Sequence, residues 1–361
     1  LKKEGYEITA PYGEMPYSFR AVDKEKKHFH GKKAVFLCEY DALPEVGHAC
    51  GHSYSCAISI LGALLLKKFY PDLPMRIDLV GTPGEEFVGG KCYMTENGAF
   101  DEYEYAAMIH LYNRDSTYFE ILASNDRYFT FHGKAAHASA FPEEGVNALN
   151  AARLYMEAMD MWRQHITKDC QFHGIIVKGG EAPNIVPEEV CLDYYYRAAT
   201  LENLWKLNKI SENCARGAAL ATGTEVEWQQ RYPDYGEIYW NEYMDQIMKD
   251  IFEHVGRTCE DSPGPGGSSD IGNVNLKIPV FHPLLDITGK DKTCVVHDRR
   301  FERILHTTEM QKALYDGGKI LYELGYLLAT NEEKLKSIKE MHKKYRKLDM
   351  IILTGRRILL Y

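Results

Sequence analysis

Short apolar runs alternate with stretches of helical periodicity along the first 110 residues of the chain. Residues 34–40, 75–81 and 105–110 are apolar and rich in β-forming side chains, and turn residues follow the first two runs. Between them, 53–70 and 88–98 have patterns typical of helices. This alternation of strands and helices predicts an α/β layer built on a parallel sheet.

The pattern changes near residue 126. Residues 126–132 and 190–196 alternate polar and apolar side chains, as strands with one covered face do, and 224–232 fits a further strand. Helical periods lie between these strands, including one over 201–221. The resulting β-α-β-β-α-β order predicts a small ferredoxin-like α+β domain, inserted into the α/β domain.

The chain is therefore predicted to contain four segments. The α/β domain occupies 1–124, is interrupted by the inserted domain at 125–233, and resumes over 234–330. The last segment, 331–361, holds nine Lys and Arg against four Asp and Glu, a net charge of +5. A helix with a solvated basic face is favoured there over a basic arm for an acidic partner.

Composition restricts the classes of function. The 361 residues are 45% hydrophobic and 26% charged, with a net charge of −9, which is typical of a globular protein. No broad basic face is available for nucleic acid. The longest apolar run, Ala57 to Leu66, is too short to span a membrane. Nine irregularly spaced cysteines suit a reducing compartment, so we expect a cytoplasmic location.

Five residues of metal-ligating types follow predicted strands or end them. They are Cys50, His52, Glu86, His110 and His297. Ligands bind beyond the carboxyl ends of strands in open α/β sheets, and divalent cations accept thiolate, imidazole and carboxylate together. Each residue alone also fits a buried, capping or packing side chain. As a set of five, with a thiolate able to bridge, they suit a pair of ions.

Glu85 and Glu86 form an adjacent pair of carboxylates after a Pro-Gly turn. Like charges side by side repel, so the pair is poorly placed for stability alone. Near a cation, one carboxylate can act as a ligand while the other accepts a proton from water. A solvated acidic turn is the alternative interpretation. The residues by themselves thus indicate a metal-dependent hydrolase with a satellite domain.

Several motifs together resemble the M20 metallopeptidase family, in its amidohydrolase and aminoacylase branch. In chain order they are EYDALPEVGHACGH, GTPGEE, MIHLYN, FHGKAAHASAFPEEGVNAL, GGEAPNIVPEE and GSSDIGNV. They extend from about residue 30 to about residue 330, and their number and order make the resemblance specific. It implies a metal-dependent exopeptidase-like catalytic domain of the α/β class, with an inserted ferredoxin-like lid and dimerisation domain.

The resemblance also implies roles for particular residues. Cys50, His52, Glu86, His110 and His297 match the ligands of two divalent metal ions, which are Zn, Mn, Co or Ni in relatives. Glu85 matches the general base acting on metal-bound water. His306 is a rival to His297 for the last ligand, and we favour His297 because the following helix then aligns without a gap.

The inserted domain has its own matches to the family. His137 matches a histidine that reaches across a homodimer to polarise the scissile carbonyl. Asn184 and Arg197 match positions that hold the substrate, and Gly267 and Ser268 resemble a flexible loop lining the pocket. Arg197 alternatively forms a structural ion pair with Asp193, which shares its face of the strand.

The expected function is a dinuclear metal-dependent amidohydrolase acting on a small molecule. Its substrate would be an N-acyl-amino acid, an aminobenzoyl-glutamate-like compound or a dipeptide. We expect a homodimer formed through the inserted domain, with no nucleic acid and no membrane as partners. The main alternative is a non-catalytic metal-binding scaffold of the same fold. A redox or metal-storage role for Cys38, Cys50 and Cys56 is weaker, because no CxxC pair is present.

Overall fold

The computed structural model of this chain describes residues 1–289 and 291–356, and it contains two compact units. The first unit combines Leu1–Ile121 with the chain from Gly236 onwards. The second unit is Leu122–Tyr235, and the predicted insertion at 125–233 lies within it. The second unit is thus a continuous segment that interrupts the first.

Strands and helices are numbered in chain order over the described residues. The strands are β1 (Tyr6–Thr9), β2 (Phe19–Asp23), β3 (Lys32–Cys38), β4 (Met75–Gly81), β5 (Ala106–Ala107), β6 (His110–Tyr112), β7 (Ala123–His132), β8 (Gln171–Lys178), β9 (Glu189–Ala198), β10 (Glu225–Gln229), β11 (Val280–Phe281) and β12 (Leu284–Asp286). The helices are α1 (His52–Phe69), α2 (Gly90–Glu96), α3 (Ala148–Trp162), α4 (Leu201–Thr222), α5 (Glu242–His254), α6 (Ile271–Asn275), α7 (Arg299–Ile304), α8 (Thr308–Thr330) and α9 (Glu332–Arg356).

The first unit is built on a sheet of strand order β1-β2-β4-β3-β5-β11. The strands β4, β3, β5 and β11 are parallel, whereas β1 and β2 form an antiparallel edge. Every residue of β4 is buried, as expected for a parallel strand covered on both faces. The expected α/β class with a parallel core is therefore confirmed, and the antiparallel edge is an addition that the sequence did not predict.

The single strand predicted over 105–110 is wrong in its extent. The structure has the two-residue β5 and a separate β6, which starts at His110 and pairs with β12 in its own two-stranded sheet. The backbone N–H groups of Met108 and His110 donate to the carbonyls of Phe281 and Pro283. The chain from β5 to β6 is thus hydrogen-bonded to the chain from β11 to β12. Both segments leave the six-stranded sheet at this point and continue in the two-stranded sheet.

Helix α1 begins at His52 and is held tightly in place by small residues. Gly62 lies against α8, where an added Cβ would be 2.8 Å from Leu321 Cβ and 3.3 Å from the Gly318 carbonyl oxygen. On the sheet side, the Ser59 hydroxyl donates to the carbonyl of Leu37 at 2.6 Å. These contacts fix the N-terminus of α1 next to the carboxyl end of β3.

The second unit is an antiparallel sheet of order β10-β7-β9-β8, with α3 and α4 packed on it. Its element order, β7-α3-β8-β9-α4-β10, is the predicted β-α-β-β-α-β arrangement. A cluster of buried side chains joins the helices to the sheet, including Phe129, Tyr155 and Leu204. The strand β8, which the sequence did not locate, lies at the sheet edge and exposes Ile175 and Val177.

The basic segment predicted after residue 330 continues as the long helix α9. Leu335 and Ile338 of this helix are buried in the core of the first unit. Residues 357–361 of that segment lie outside the described residues. Within the described chain, no helix has both the length and the apolar character that crossing a membrane requires.

Two helical glycines allow a matched test of packing. An added Cβ at Gly272 in α6 would lie 1.8 Å from the carbonyl oxygen of Gly236, whereas the exposed Gly217 in α4 has nothing within 4 Å. We expect Gly272→Ala to lower the free energy of unfolding by about 1–3 kcal/mol because backbone must move. Gly217→Ala should raise it by about 0.5–1 kcal/mol. Denaturant unfolding of both variants checks this, and equal effects would contradict the packing described here.

Candidate metal centre

The predicted ligands come together where adjacent strands of the first unit end. β3 is followed by Glu39 and Asp41, and its neighbour β4 is followed by the turn that leads to Glu85 and Glu86. Since the carboxyl ends of parallel neighbours meet at one edge, the two loops converge there. The backbone N–H of Glu86 donates to Asp41 at 3.0 Å, which ties the loops together.

The Cys-Gly-His segment enters the same place from the start of α1. Gly51 has a φ of +75°, a left-handed conformation that favours glycine. A side chain at Gly51 would also meet Leu111, since an added Cβ would lie 2.6 Å from its Cδ1. The glycine therefore allows Cys50 and His52 to turn toward one point.

Two overlapping groups of ligand atoms result. Ligand atoms of Cys50, His52 and Glu86 all lie within 4.8 Å of one another. A second group with the same spacing contains Glu39, His52 and His110. Because His52 belongs to both groups, the two candidate cation positions are adjacent. We call these five residues, with Glu85 and His297, the metal cluster.

His297 lies beside the first group. Its Nε2 is 3.6 Å from Glu86 Oε2, and its backbone N–H donates to the carbonyl of Ala49 at 3.0 Å. The residue has a φ of +70°, which is unusual for a side chain other than glycine. Its rival, His306, instead contacts Glu302 at 3.4 Å on the surface of the protein. The geometry thus favours His297 as the last ligand.

Burial and neighbouring charges shift the protonation of the cluster. Burial alone would raise the pKa of Glu39, but Lys91 and His52 outweigh it, and the pKa lies below its ordinary value. Burial opposes protonation of His52, yet Glu39 and Asp41 raise its pKa to about 10. Burial lowers the pKa of His110 to about 4. Burial, together with Glu39, raises the pKa of Glu85.

The Cys50 thiol responds to the same surroundings. Burial and the nearby Glu86 carboxylate raise its pKa. A bound divalent cation acts in the opposite direction, because a coordinating thiol is deprotonated outright. The thiol is thus suited to a metal site and poorly suited to being a free reactive nucleophile.

One buried lysine provides positive charge to this acidic centre. Lys91 Nζ lies 2.6 Å from Glu39 Oε1 and 2.6 Å from Asp270 Oδ1, and its side chain is fully buried. Its charge is cancelled by Asp270, while the carboxylates of Glu39, Asp41 and Glu86 remain close together. Buried negative charge in excess is costly unless cations compensate it.

Several buried ligand atoms have no hydrogen-bond partner within the described residues. They include Oε2 of Glu39, Nε2 of His52 and Oε1 of Glu86. Buried polar atoms in proteins are nearly always paired, so unpaired atoms that face one another need an explanation. A pair of divalent cations fits this donor set of thiolate, imidazole and carboxylate.

Sequence reasoning missed four buried residues of this region. Glu39, Lys91 and Asp270 form a chain of charges next to the predicted ligands. His282 is a fourth omission, since its ring lies 5.7 Å from that of His110 and both of its nitrogens lack partners within the described structure. A signal for Glu39 was available: it is a carboxylate directly after a buried strand.

The remaining predicted site residues are divided between the two units. Gly267 lies in the first unit, in a bridge with Ile121, and Ser268 follows it ahead of α6. His137 and Asn184 are neighbours in the second unit, where the Ala138 N–H donates to the Asn184 carbonyl at 3.0 Å.

Arg197 is half-buried on β9 of the second unit, opposite Ser124 and Gln171 on the flanking strands. The Asp193 carboxylate, its suggested structural partner, forms an ion pair with Arg231 at 2.5 Å. Asp193 therefore has a guanidinium partner other than Arg197.

Comparison with known proteins agrees with this division of the chain. The family model described as a peptidase dimerisation domain matches residues 127–221, within the second unit. The Bacillus subtilis dinuclear metal-binding peptidase of the M20 family has a solved structure with a TM-score of 0.67, at 19% identity over 91% of this chain and 89% of that one. An aminobenzoyl-glutamate utilization protein from Klebsiella pneumoniae gives 0.63 at 18% identity, over 85% and 74%. These likenesses confirm the predicted fold of a catalytic domain with an inserted dimerisation domain.

Several named relatives are more similar to this chain in sequence than these solved structures are. The mouse Xaa-Arg dipeptidase is 37% identical over 288 residues, which cover 77% of this chain and 67% of the relative. The human Xaa-Arg dipeptidase is 36% identical, with the same coverage. A p-aminobenzoyl-glutamate hydrolase chain of Escherichia coli is 29% identical over 71% of this chain and 56% of its own length. The chain therefore belongs to the M20 peptidase family and is a hydrolytic enzyme of the amidohydrolase type.

Proposed function

We propose that this enzyme is a dinuclear metal-dependent amidohydrolase that cleaves a dipeptide or an N-acyl-amino acid. The observation that carries the proposal is that two ligand groups adjoin at His52, one with Cys50 and Glu86 and one with Glu39 and His110, so that two cation positions lie side by side. Two adjacent cation positions sharing one edge of a sheet are suited to holding a carbonyl and a water side by side. The unpaired buried ligand atoms support the same conclusion.

The chemistry of the ligands supports several metals. A mixed set of thiolate, imidazole and carboxylate suits Zn, and it also accommodates Mn, Co or Ni. Bound there, divalent ions would polarise a carbonyl and make water more acidic. Cys50, His52, Glu86, His110 and His297 are the proposed ligands.

Glu85 is the proposed general base. Its Oε2 is 4.0 Å from His52 Nε2, at the junction of the two groups, and its side chain is largely buried. Burial and the charge of Glu39 raise its pKa, which strengthens the carboxylate as a proton acceptor. In this role Glu85 takes a proton from water during attack and returns it to the departing amine nitrogen.

Residues of the second unit are assigned to substrate binding. Arg197 presents a guanidinium that can bind a substrate carboxylate with two hydrogen bonds. His137 and Asn184 are polar neighbours suited to hydrogen bonding with a carbonyl oxygen. The dimerisation-domain match on 127–221 supports a homodimer formed through this unit. A role for His137 across that dimer is part of the proposal and rests on the resemblance of its motif alone.

The relatives narrow the substrate class. Those named above act on Xaa-Arg dipeptides or on p-aminobenzoyl-glutamate by their names, and a hippurate hydrolase from Campylobacter jejuni is 26% identical over 75% of this chain. All three substrates contain an amide whose nitrogen belongs to an amino acid with a free carboxylate. The higher identity to the dipeptidases favours a dipeptide with arginine in the second position.

Activity and metal dependence can be tested together. We expect release of free arginine from Xaa-Arg dipeptides, faster than glutamate from p-aminobenzoyl-glutamate or glycine from hippurate. A chelator should abolish turnover, and Zn, Mn, Co or Ni should restore it, because the proposed reaction needs the cations. Elemental analysis should find about two transition-metal ions per chain. Bound metal without hydrolysis of any of these substrates would favour the scaffold alternative.

The role of Glu85 is tested by Glu85→Gln, which keeps the shape and removes the basic oxygen. We expect kcat to fall by roughly 10²–10⁴-fold, the usual contribution of a general base. Metal content should be unchanged, since Glu85 is not one of the proposed ligands. Glu96→Gln, at an exposed position on α2, is the matched control and should leave kcat unaltered. Full activity of Glu85→Gln with its metal bound would exclude Glu85 as the base.

The last ligand is tested by comparing two histidines. His297→Ala should strongly reduce the affinity for one of the two ions, because His297 Nε2 lies 3.6 Å from Glu86 Oε2 in the metal cluster. His306→Ala should bind both ions as the unmodified enzyme does, since His306 contacts Glu302 at the surface. Metal stoichiometry after dialysis against a weak chelator measures both effects. The opposite order of effects would assign the ligand to His306.

A further inference from the structure

We propose that Glu39 is a further metal ligand, binding the ion held by His52 and His110, and that buried Lys91 and Asp270 hold its carboxylate in position. This inference rests on the proposed function, because it concerns one of the two ions assigned above. It adds a carboxylate ligand to which none of the expected roles was assigned.

The two histidines that share a ligand group with Glu39 each have an oxygen atom beside one ring nitrogen. His110 Nδ1 contacts the carbonyl of Leu111 at 2.8 Å, and His52 Nδ1 lies 3.2 Å from Asp41 Oδ1. In each ring an oxygen atom lies close to Nδ1, which leaves Nε2 as the atom better placed to bind a metal. Metal-ligating histidines commonly have their second nitrogen fixed in this way.

The distance between Glu39 and His52 fits shared coordination. Glu39 Oε2 lies 3.5 Å from His52 Nε2, too far for a good hydrogen bond. Two ligand atoms about 2.1 Å from one ion, at a tetrahedral angle, are about 3.4 Å apart. The observed separation is thus the one that a cation between these two atoms would require.

The two oxygens of Glu39 have different surroundings. Oε1 forms an ion pair with the Lys91 ammonium at 2.6 Å, whereas Oε2 faces His52 Nε2 at 3.5 Å, and neither oxygen has a hydrogen-bond partner within the described residues. The side chain is 1% exposed, so water does not compensate Oε2 freely. If Glu39 served only to neutralise Lys91, one oxygen would suffice and the other would be left with a desolvation cost.

Asp270 keeps the charge of Glu39 available. Lys91 Nζ is 2.6 Å from both carboxylates, and Asp270 Oδ2 also accepts the Lys91 backbone N–H at 2.9 Å. The pair of Lys91 and Asp270 sums to zero charge, so the negative charge of Glu39 remains for a cation. Because the ammonium is held from two sides, it also fixes the orientation of the Glu39 carboxylate.

The inference is tested with the full-length enzyme loaded with Co²⁺, whose visible absorption reports its ligands. The informative variant is Glu39→Gln. The matched control is Asp41→Asn, which removes one negative charge on the Nδ1 side of the same His52 ring. For Glu39→Gln we expect one Co²⁺ ion to bind with normal affinity and the affinity for the other to fall by more than about 100-fold. The visible absorption spectrum of bound Co²⁺ should also change. Asp41→Asn should weaken binding by about 10–100-fold, as partners of ligands do, and should keep the spectrum.

Glu39→Asp provides a second variant if the glutamine protein does not fold. It keeps the charge beside Lys91 but shortens the side chain by one methylene. We therefore again expect a lower affinity for one Co²⁺ ion and an altered visible spectrum. Chelator competition gives the affinities, independently of activity. Unchanged affinity and spectrum in Glu39→Gln, or a loss no larger than that of Asp41→Asn with the spectrum kept, would overturn the inference. Failure of the unmodified enzyme to bind Co²⁺ would instead overturn the proposed function.

Discussion

An excess of buried negative charge is the constraint on which the rest of this structure depends. Glu39, Asp41 and Glu86 meet at the carboxyl ends of two parallel strands, and the nearby lysine is already paired with Asp270. Carboxylates in such a place must be protonated, paired or bound to a metal. Burial opposes the charged form of Glu39, but Lys91 and His52 hold the pKa of Glu39 below its ordinary value, which favours the carboxylate. Divalent cations thus become part of the stability of the folded protein as well as of its chemistry.

The scaffold holds these charges by rigid packing. β4 is buried along its whole length, and α1 is held between β3 and α8 by Ser59 and Gly62. A functional site needs its ligands placed to within a fraction of an ångström, and regular elements achieve that better than loops alone. Here loops carry most of the proposed ligands, and each of these loops begins or ends in a packed element. His52 illustrates this, because it is both a proposed ligand and the first residue of α1.

Much of this arrangement was predictable from the sequence, because the signals were local. The strand at 75–81 coincides with β4, and the five ligand types stood out through motif spacing and the chemistry of adjacent carboxylates. The strand predicted at 105–110 was wrong because a segment about 170 residues away decides where it breaks. Glu39 was recognisable in the sequence as a carboxylate directly after a buried strand, but its ion pairing was not. Its burial depends on Lys91 and Asp270, which are distant in the chain and carry no pattern of their own.

The same constraint bears on the choice between an enzyme and a scaffold. A protein that only used this fold for binding would be as stable, or more stable, with apolar side chains in place of buried charges. The unpaired ligand atoms, and the carboxylate of Glu85 next to that of Glu86, lower the stability of the fold. Binding of metal ions would offset that loss of stability. Glu85 is the sharpest case, since a structural metal site needs closed coordination and no basic group beside it. The placement of Glu85 therefore favours an open, catalytic centre.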